Sequence, residues 1–319
     1  MPYFFKRLLA AVPLLFCICF LSFLLMHLAP GDPTIMFMDP SVSVHDLDQV
    51  KRNLGLDKPL LVQFLYWMKR LFQGDLGYSF VTGQSVTQAI FNRLPATLYL
   101  SISSLFLILV ITFPLGLLSA YKKGSRFDNF VTIFTFTGLA IPTFWLGLVL
   151  ILFFSIQLNW FPTSGFIDPF LISAPWYEKL MNVSWHIVLP LLTIIIGGIA
   201  GLTRYNRFSV LQILNQDYIK AARARGLSEK RILFKHSFKN AALPVITILG
   251  MDLSSLISGS YIIEYIFSWP GMGQLGVSSV FSRDYPILMG MILFSSILII
   301  LGNLLADVAY QFIDPRVKS

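Results

Sequence analysis

The sequence predicts an all-α membrane protein with six transmembrane helices. Of its 319 residues, 55% are hydrophobic and only 13% are charged, and the mean hydropathy of +0.71 is unlike that of a soluble domain. Apolar runs long enough to span a bilayer recur along the chain, with the charged residues gathered between them. The net charge of +8 is better explained by membrane topology and acidic lipid than by nucleic acid.

The first span is predicted at residues 8–28, directly after Lys6 and Arg7. This run of 21 residues is about 30 Å long as a helix, which suits a bilayer and exceeds the apolar part of a signal peptide. No small-residue cleavage site follows it, so we expect an uncleaved helix. Cys17 and Cys19 lie two residues apart on different sides of this helix, which argues against a disulfide between them.

The next segment, residues 29–96, is expected to be external and helical. It is too short and too poor in strand-forming sequence to be an enzyme domain. In residues 60–73, polar side chains recur at helical spacing and apolar side chains fall on the opposite face. This pattern predicts an amphipathic helix that lies at the outer interface or packs on the bundle. A further helix is predicted to end before Pro95. Two interpretations of the segment remain open: a structural scaffold, or a docking surface for an external binding protein.

The remaining spans are predicted from five apolar runs. Pro95 is placed to open the first of them. Pro142 lies inside the second, where it can kink the helix, and Pro190 lies inside the Gly-rich third, which neighbouring helices can approach closely. Aromatic residues around positions 159–184 indicate an external loop at the membrane interface. The five runs are residues 98–120, 130–158, 185–203, 241–267 and 287–313.

Four residues within these spans are candidates for a substrate path. Thr143 and Trp145 follow the Pro142 break at mid-depth, and either a path lining or a packed kink would explain them. Asp252 lies near the middle of the fifth span and Glu264 toward its outer end. Carboxylates at depth are costly unless they face a cavity or a partner. The alternative for both is a hydrogen bond that pins one helix to another.

The fourth and fifth spans are joined by the longest basic segment of the chain. It reads as two short helices, with Asp217 as cap of the first, Gly226 as its left-handed end, and Ser228 as cap of the second. Lys235 and His236 fall near the end of the second helix, where cations suit the helix dipole.

This segment resembles the coupling loop of ATP-binding-cassette (ABC) import permeases, in the branch that serves dipeptides, oligopeptides and nickel. Lys220 stands where the general loop has glutamate, and the long gap from Gly226 to Pro244 is typical of this branch. The resemblance assigns contact with an ATPase to the residues of this loop, namely Asp217, Ala221, Ala222, Arg225, Gly226, Leu227, Lys235, His236, Asn240 and Pro244.

Further matches to the family, at residues 27–33, 93–98, 264–273 and 314–316, extend the resemblance over nearly the whole chain. The fold that it implies is that of a type I ABC importer permease with a helical external segment between spans 1 and 2. Its parts are an N-terminal transmembrane helix (1–28), the extracytoplasmic segment (29–96), a permease domain of five spans (97–313) that includes the coupling loop (203–240), and a cytoplasmic tail (314–319).

The resemblance also implies partners: a second homologous permease, two ABC ATPase subunits and an extracytoplasmic substrate-binding protein. None of the 21 glycines is followed by lysine, so the chain has no GxxxxGK[ST] phosphate-binding loop. We therefore expect no catalytic residues, metal site or cofactor in this chain, with ATP and Mg²⁺ bound by the ATPases. Peptides are the expected cargo, and nickel or a metal chelate is the alternative.

The distribution of basic residues predicts that both termini are cytoplasmic. With six spans, 16 of the 24 lysines and arginines lie on the inner side, in agreement with the positive-inside rule. The predicted location is a bacterial cytoplasmic membrane.

Two other classes of protein fit the sequence less well. A secondary transporter would need a chain of ionisable groups in the membrane, and Asp252 and Glu264 offer little for that; no inverted repeat is evident. An intramembrane hydrolase would need a nucleophile with a nearby base or paired metal ligands, and no such constellation is seen.

Overall fold

The structure, a computed structural model, describes residues 2–28, 57–237 and 260–313. Within these ranges the fold is helical, and the one β-pairing is a single bridge between Tyr78 and Ser85. The predicted all-α class is confirmed. The helices are α1 (Pro2–Leu28), α2 (Leu60–Phe72), α3 (Val86–Tyr121), α4 (Arg126–Ala140), α5 (Thr143–Leu150), α6 (Trp176–His186), α7 (Val188–Leu214), α8 (Asp217–Ala224), α9 (Glu229–Arg231), α10 (Tyr261–Ile266), α11 (Met272–Ser282) and α12 (Tyr285–Ile313); π-helical turns extend α5 (Ile151–Gln157) and α9 (Ile232–Ser237).

Four described helices contain segments long and apolar enough to cross a membrane: Leu9–Leu28 of α1, all of α3, all of α7 and Tyr285–Leu304 of α12. Helix α4 and α5 with its π turn are together also long and apolar enough to cross a membrane. If this bent pair forms one span, the described residues contain up to five spans. Most of the predicted fifth span, residues 241–267, lies outside the described residues. The count of six therefore stays a prediction, while a multi-pass helical membrane protein is established.

Helices α3 and α7 form the centre of the fold. The buried side-chain amide of Asn206 on α7 donates to the carbonyl oxygens of Thr112 and Phe113, at 3.3 and 3.2 Å, just before Pro114 of α3. Gly116 makes this approach possible, because a Cβ there would lie 2.6 Å from the Asn206 amide nitrogen. A small residue opposite a hydrogen-bonding side chain is typical of tightly packed helices in membranes.

The prediction that Pro95 starts a helix is wrong. Helix α3 runs without interruption from Val86 through Pro95 and Pro114 to Tyr121. Both flanks of Pro95 are held by packing, since Ile90 precedes it in one buried cluster and Leu100 follows it in another. Tertiary packing thus maintains the helix although proline cannot donate a backbone hydrogen bond.

The third predicted span is broken rather than kinked. Helix α4 ends at Ala140, and the α5 segment leaves at 98° to it. Ile141 has ψ 121° and Pro142 has ψ 131°. Proline pushes the preceding residue into the extended region, so two consecutive extended residues separate the helices.

Helix α7 differs from the predicted span 185–203 at both ends. It begins at Val188, so Pro190 lies in its first turn, where a missing N–H costs nothing, and no kink results. It also continues past Thr203 to Leu214, because Asn206, Val210 and Leu214 remain buried along one face. The first part of the predicted coupling loop is therefore the end of a membrane helix.

The predicted amphipathic helix is confirmed as α2, and it packs on the bundle. Phe64 is buried with Phe23 of α1 and Met289 of α12. Leu61, Leu65 and Phe72, which occupy apolar positions of the same helical pattern, are exposed. Only one edge of that face therefore packs on protein. Cys17 is exposed and Cys19 buried, and both are free, as their spacing predicted.

Replacing Gly116 with alanine should loosen the α3–α7 contact. The added Cβ would lie 2.6 Å from Asn206 Nδ2 and 2.9 Å from Asn206 Cβ, and overpacking of this kind costs about 1–3 kcal/mol. The measurement is the free energy of unfolding in mixed micelles. Gly201→Ala on α7 is the matched control, since its Cβ would meet only Leu139 Cδ2 at 3.9 Å. Equal stability of the two variants would contradict the close contact.

Candidate functional site

The candidate site is the helix–Gly–helix unit, residues 217–237, that follows α7. Helix α8 ends in a Schellman motif: the N–H of Gly226 donates to the carbonyl of Arg223 at 2.9 Å, and the N–H of Leu227 donates to that of Ala222 at 3.2 Å. Gly226 has φ +77°, the left-handed conformation that its position predicted. The glycine therefore fixes the angle between α8 and α9.

Buried apolar side chains anchor this unit to the membrane helices. Ile219 of α8 and Ile232 and Leu233 after it are at most 5% exposed. They pack in one cluster with residues of α3 and α7, among them Leu117 and Val210. The unit is thus attached to both central helices through a shared core.

An ion pair joins the two halves of the unit. The Arg223 guanidinium donates to both carboxylate oxygens of Glu229, at 2.7 and 3.3 Å, and this hydrogen-bonded pairing raises the pKa of Arg223. Both side chains are roughly two-fifths exposed, so solvent screens the pair and its contribution is small. Its bidentate geometry nevertheless favours one orientation of α9 relative to α8.

Two capping predictions differ from the structure. Gln216 is the N-cap of α8, and Asp217 is its first residue, with its carboxylate 2.9 Å from Lys220 Nζ. Ser228 occupies the N-cap position of α9, but its side chain makes no capping hydrogen bond. Lys220, which stands where the general loop has glutamate, thus forms an exposed ion pair with Asp217 one turn away.

The residues to which the resemblance assigns contact with an ATPase lie on two faces of the helix–Gly–helix unit. Ala221, Arg225 and Gly226 are exposed, whereas Ala222 and Leu227 are partly buried against the core. Tyr218 and Phe234 add exposed aromatic rings. The backbone of Lys235 and His236 belongs to the π turn after α9; Asn240 and Pro244 lie outside the described residues.

Sequence reasoning missed the ion pair that ties α4 to α7. Arg207 donates to both oxygens of Asp128, at 2.7 and 2.8 Å. The Ser119 hydroxyl and the Gly124 N–H also donate to this carboxylate, at 2.5 and 2.9 Å. The signal was an arginine within a helix-forming stretch and an aspartate directly after the basic turn at residues 122–126, in the first turn of α4. Only the fold brings the two together.

The candidate path residues do not share one set of contacts. Thr143 and Trp145 are exposed on α5, where the Thr143 methyl faces Gly197 of α7. Glu264 on α10 is fully buried. Asp252 lies outside the described residues. Thr143 and Trp145 remain path candidates, since both are accessible.

Glu264 has the contacts expected of a helix-pinning residue. Its carboxylate accepts from the Thr97 hydroxyl of α3 at 3.0 Å and from the Gly273 N–H of α11 at 2.7 Å. The Thr97 hydroxyl oxygen in turn accepts from the Met272 N–H at 2.7 Å. A Cβ on Gly271 or Gly273 would come within 3 Å of Glu264, so these glycines are required by close approach. The network holds α3, α10 and α11 together.

Removing the carboxylate should therefore destabilise the external end of the bundle. Glu264→Ala leaves the buried N–H of Gly273 without its acceptor, which costs about 1–3 kcal/mol, whereas Glu264→Gln keeps one acceptor oxygen and should lose less. Thermal unfolding of the purified protein in detergent measures both. An unchanged melting temperature in Glu264→Ala with a loss of transport in both variants would instead favour a role in the substrate path.

Comparisons with known proteins agree with this architecture. Residues 112–319 match the family described as binding-protein-dependent transport system inner membrane component, and residues 1–101 match the N-terminal component of the same transport systems. The chain is 45% identical to the oligopeptide transport system permease protein AppB of Bacillus subtilis, over 99% of both chains. It is 38% identical to a putative peptide transport system permease protein of Brucella abortus, over 98% of both.

A solved structure gives the same fold. The inward-facing MetNI methionine ABC transporter superposes with a TM-score of 0.55 at 18% identity, covering 72% of this chain and 97% of that one. With both family matches together spanning most of the sequence, the chain belongs to the inner-membrane permease components of binding-protein-dependent transport systems.

Proposed function

We propose that the chain is the permease subunit of an ATP-driven peptide importer. With a second, homologous permease it forms the translocation path, two separate ABC ATPases supply the energy, and an extracytoplasmic binding protein delivers the peptide. The proposal is supported by full-length relatives named as oligopeptide and peptide permeases. The 16 of 24 basic residues that fall on one side favour cytoplasmic termini in the inner membrane.

The attachment of the helix–Gly–helix unit to α3 and α7 carries the mechanistic part of the proposal. Because Ile219 and Ile232 are buried against both helices, a displacement of the unit displaces the helices with it. Helix α7 has 27 residues, about 40 Å at the helical rise, so the displacement reaches the opposite side of the membrane. Closure of the ATPases around ATP would tilt α7 and expose the path alternately to each side.

The ion pair between Asp128 and Arg207 extends this motion to α4. It lies where α7 leaves the membrane toward the unit and is largely shielded from water, with 4% of the Asp128 side chain exposed. Breaking such a pair by removing one partner is strongly destabilising. We therefore expect α3, α4 and α7 to move together at their cytoplasmic ends.

Reconstitution tests the function as a whole. The chain is purified from native membranes in mild detergent, its partners are identified by mass spectrometry, and the complex is placed in liposomes with its binding protein. We expect a second permease, ATPases and ATP-dependent uptake of alanine peptides. Uptake of nickel instead of peptides would assign the other cargo, and uptake driven by an ion gradient without ATP would favour a secondary transporter.

The exposed turn of the unit gives a sharper test. Gly226→Trp should abolish stimulation of ATP hydrolysis by loaded binding protein and lower uptake at least about tenfold, because the ring occupies the surface proposed to meet the ATPase. Gly124→Trp is the matched control: both glycines have φ +77° and open space where a Cβ would be placed, so the backbone strain is the same.

Comparison of the Gly226→Trp and Gly124→Trp variants distinguishes a loss of ATPase docking from an effect of backbone strain. Membrane insertion of both variants is checked by detergent extraction and size-exclusion chromatography. Normal coupling in Gly226→Trp would contradict the docking role, and equal loss in both variants would attribute the effect to strain in the turn.

A further inference from the structure

Two threonine hydroxyls are buried without a partner at the centre of the fold. Thr112 on α3 and Thr203 on α7 are both fully buried. Their Oγ1 atoms have no hydrogen-bond partner within the part of the chain that the structure describes. A buried hydroxyl without a hydrogen bond is costly, and most such groups in folded proteins are bonded to protein or to ordered water. These two hydroxyls therefore need a partner.

Other buried hydroxyls on the same two helices bond to their own backbone. Ser104 of α3 and Thr193 of α7 each donate to the carbonyl oxygen four residues earlier, at 2.6 and 2.8 Å. This is the usual way in which a serine or threonine inside a helix is satisfied. Thr112 and Thr203 do not use it, although both lie inside long helices. Their hydroxyls are thus available to a partner outside the two helices.

The two threonines lie at the same level of the contact between α3 and α7. On their N-terminal side, a Cβ on Gly198 of α7 would collide with the Ile108 side chain of α3. On their C-terminal side, a Cβ on Gly116 of α3 would collide with Asn206 of α7. Both pairs are 90 positions apart, so the helices run parallel in a constant register. The threonines are 91 positions apart, which places them within one residue, about 1.5 Å along the axis, of that register.

This level of the interface is closed to bulk solvent. Ile199 and Leu202, beside Thr203 on α7, are at most 9% exposed. The hydroxyls of Thr112 and Thr203 do not bond to each other, since neither has a partner among the described residues. Two polar groups that face one level of a buried contact without bonding directly can be joined by one small molecule that both donates and accepts hydrogen bonds.

We propose that a single water molecule is bound between α3 and α7, with the Thr112 and Thr203 hydroxyls as its partners. The oxygen of the Asn206 carboxamide, one turn further along α7, offers a third contact. Buried waters in proteins typically make about three hydrogen bonds to groups that would otherwise be unsatisfied. The site is separate from the Asp128–Arg207 ion pair, and it does not depend on the transported cargo.

A bound water gives the α3–α7 contact a tolerance that a direct hydrogen bond lacks. A water can reorient, so both hydroxyls stay bonded while the two helices shift slightly against each other. At Gly198 and Gly116, by contrast, a side chain of one helix meets the backbone of the other without space between them. The water thus lies between two close contacts, at the level where the helices are held least directly.

Replacement of each threonine by valine tests the site by the sign of its effect. Thr112→Val and Thr203→Val keep the shape of the side chain and remove the hydroxyl. Each single variant should have a lower melting temperature, because the water loses one partner and the opposite hydroxyl is left with an incomplete site. The double variant should be no less stable than the weaker single variant, since its site is apolar as a whole. Thermal unfolding of the complete transporter in lipid nanodiscs measures all three.

Thr193→Val is the matched control. Thr193 is a fully buried threonine of the same helix, and its hydroxyl is bonded within α7. Its effect on the melting temperature should add to that of Thr203→Val, because distant sites without a shared partner act independently. The effects of Thr112→Val and Thr203→Val should not add.

X-ray radiolysis in ¹⁸O-water detects the bound molecule directly. Radicals formed from a buried water oxidise the side chains beside it, and mass spectrometry locates the label. Ile199 and Leu202, which bulk solvent does not reach, should be labelled in the unaltered protein. Thr203→Ser, which keeps the hydroxyl, should retain this label, and the double valine variant should lose it.

Three results would overturn the proposal. Higher melting temperatures in both single valine variants, with additive effects, would mean that the hydroxyls are simply unsatisfied. Coupled destabilisation without the radiolytic label would assign a direct contact between the two threonines. Absence of the label in the unaltered protein overturns the site by itself, and this measurement does not depend on the folding of any variant.

Discussion

The contact between α3 and α7 is the interaction on which α4 and the helix–Gly–helix unit depend. Asn206 reaches the backbone of α3 beside Pro114, and Gly116 leaves room for it. Helix α4 is attached to α7 through Asp128 and Arg207, and the helix–Gly–helix unit packs into the cleft where α3 and α7 end. Without a hydrophobic driving force between helices in lipid, such close packing and polar contacts must supply the association.

Much of the helical organisation was predictable because it follows from local sequence. Apolar length defined α1 and α12, helical periodicity defined α2, and the left-handed conformation of Gly226 followed from its place after a run of alanines. The prolines were harder to interpret. Pro95 leaves α3 intact, Pro190 starts α7, and Pro142 separates two helices by 98°. The residue is the same in each case, and its position in the helix together with the packing on either side decides the result.

The side-chain partners at the candidate sites could not be predicted from one sequence. Glu264 and Thr97 are 167 positions apart, and Arg207 and Asp128 are 79 apart. Nothing in the local pattern distinguishes a buried, fully bonded carboxylate from one that lines a path, since both are an acid in an apolar run. The exposed and buried faces of the helix–Gly–helix unit likewise depend on where α3 and α7 end, which is a property of the assembled bundle.

The break at Pro142 leaves the two parts of one membrane segment packed against α7 at different levels. Helix α4 is bound to α7 by Arg207, while α5 contacts Thr193 of α7 and also Phe267 at Gly147. An unbroken helix would transmit a tilt from end to end, whereas two pieces joined by extended residues can pivot separately. The extended residues Ile141 and Pro142 are therefore a point at which the angle between α4 and α5 can change while both helices stay intact.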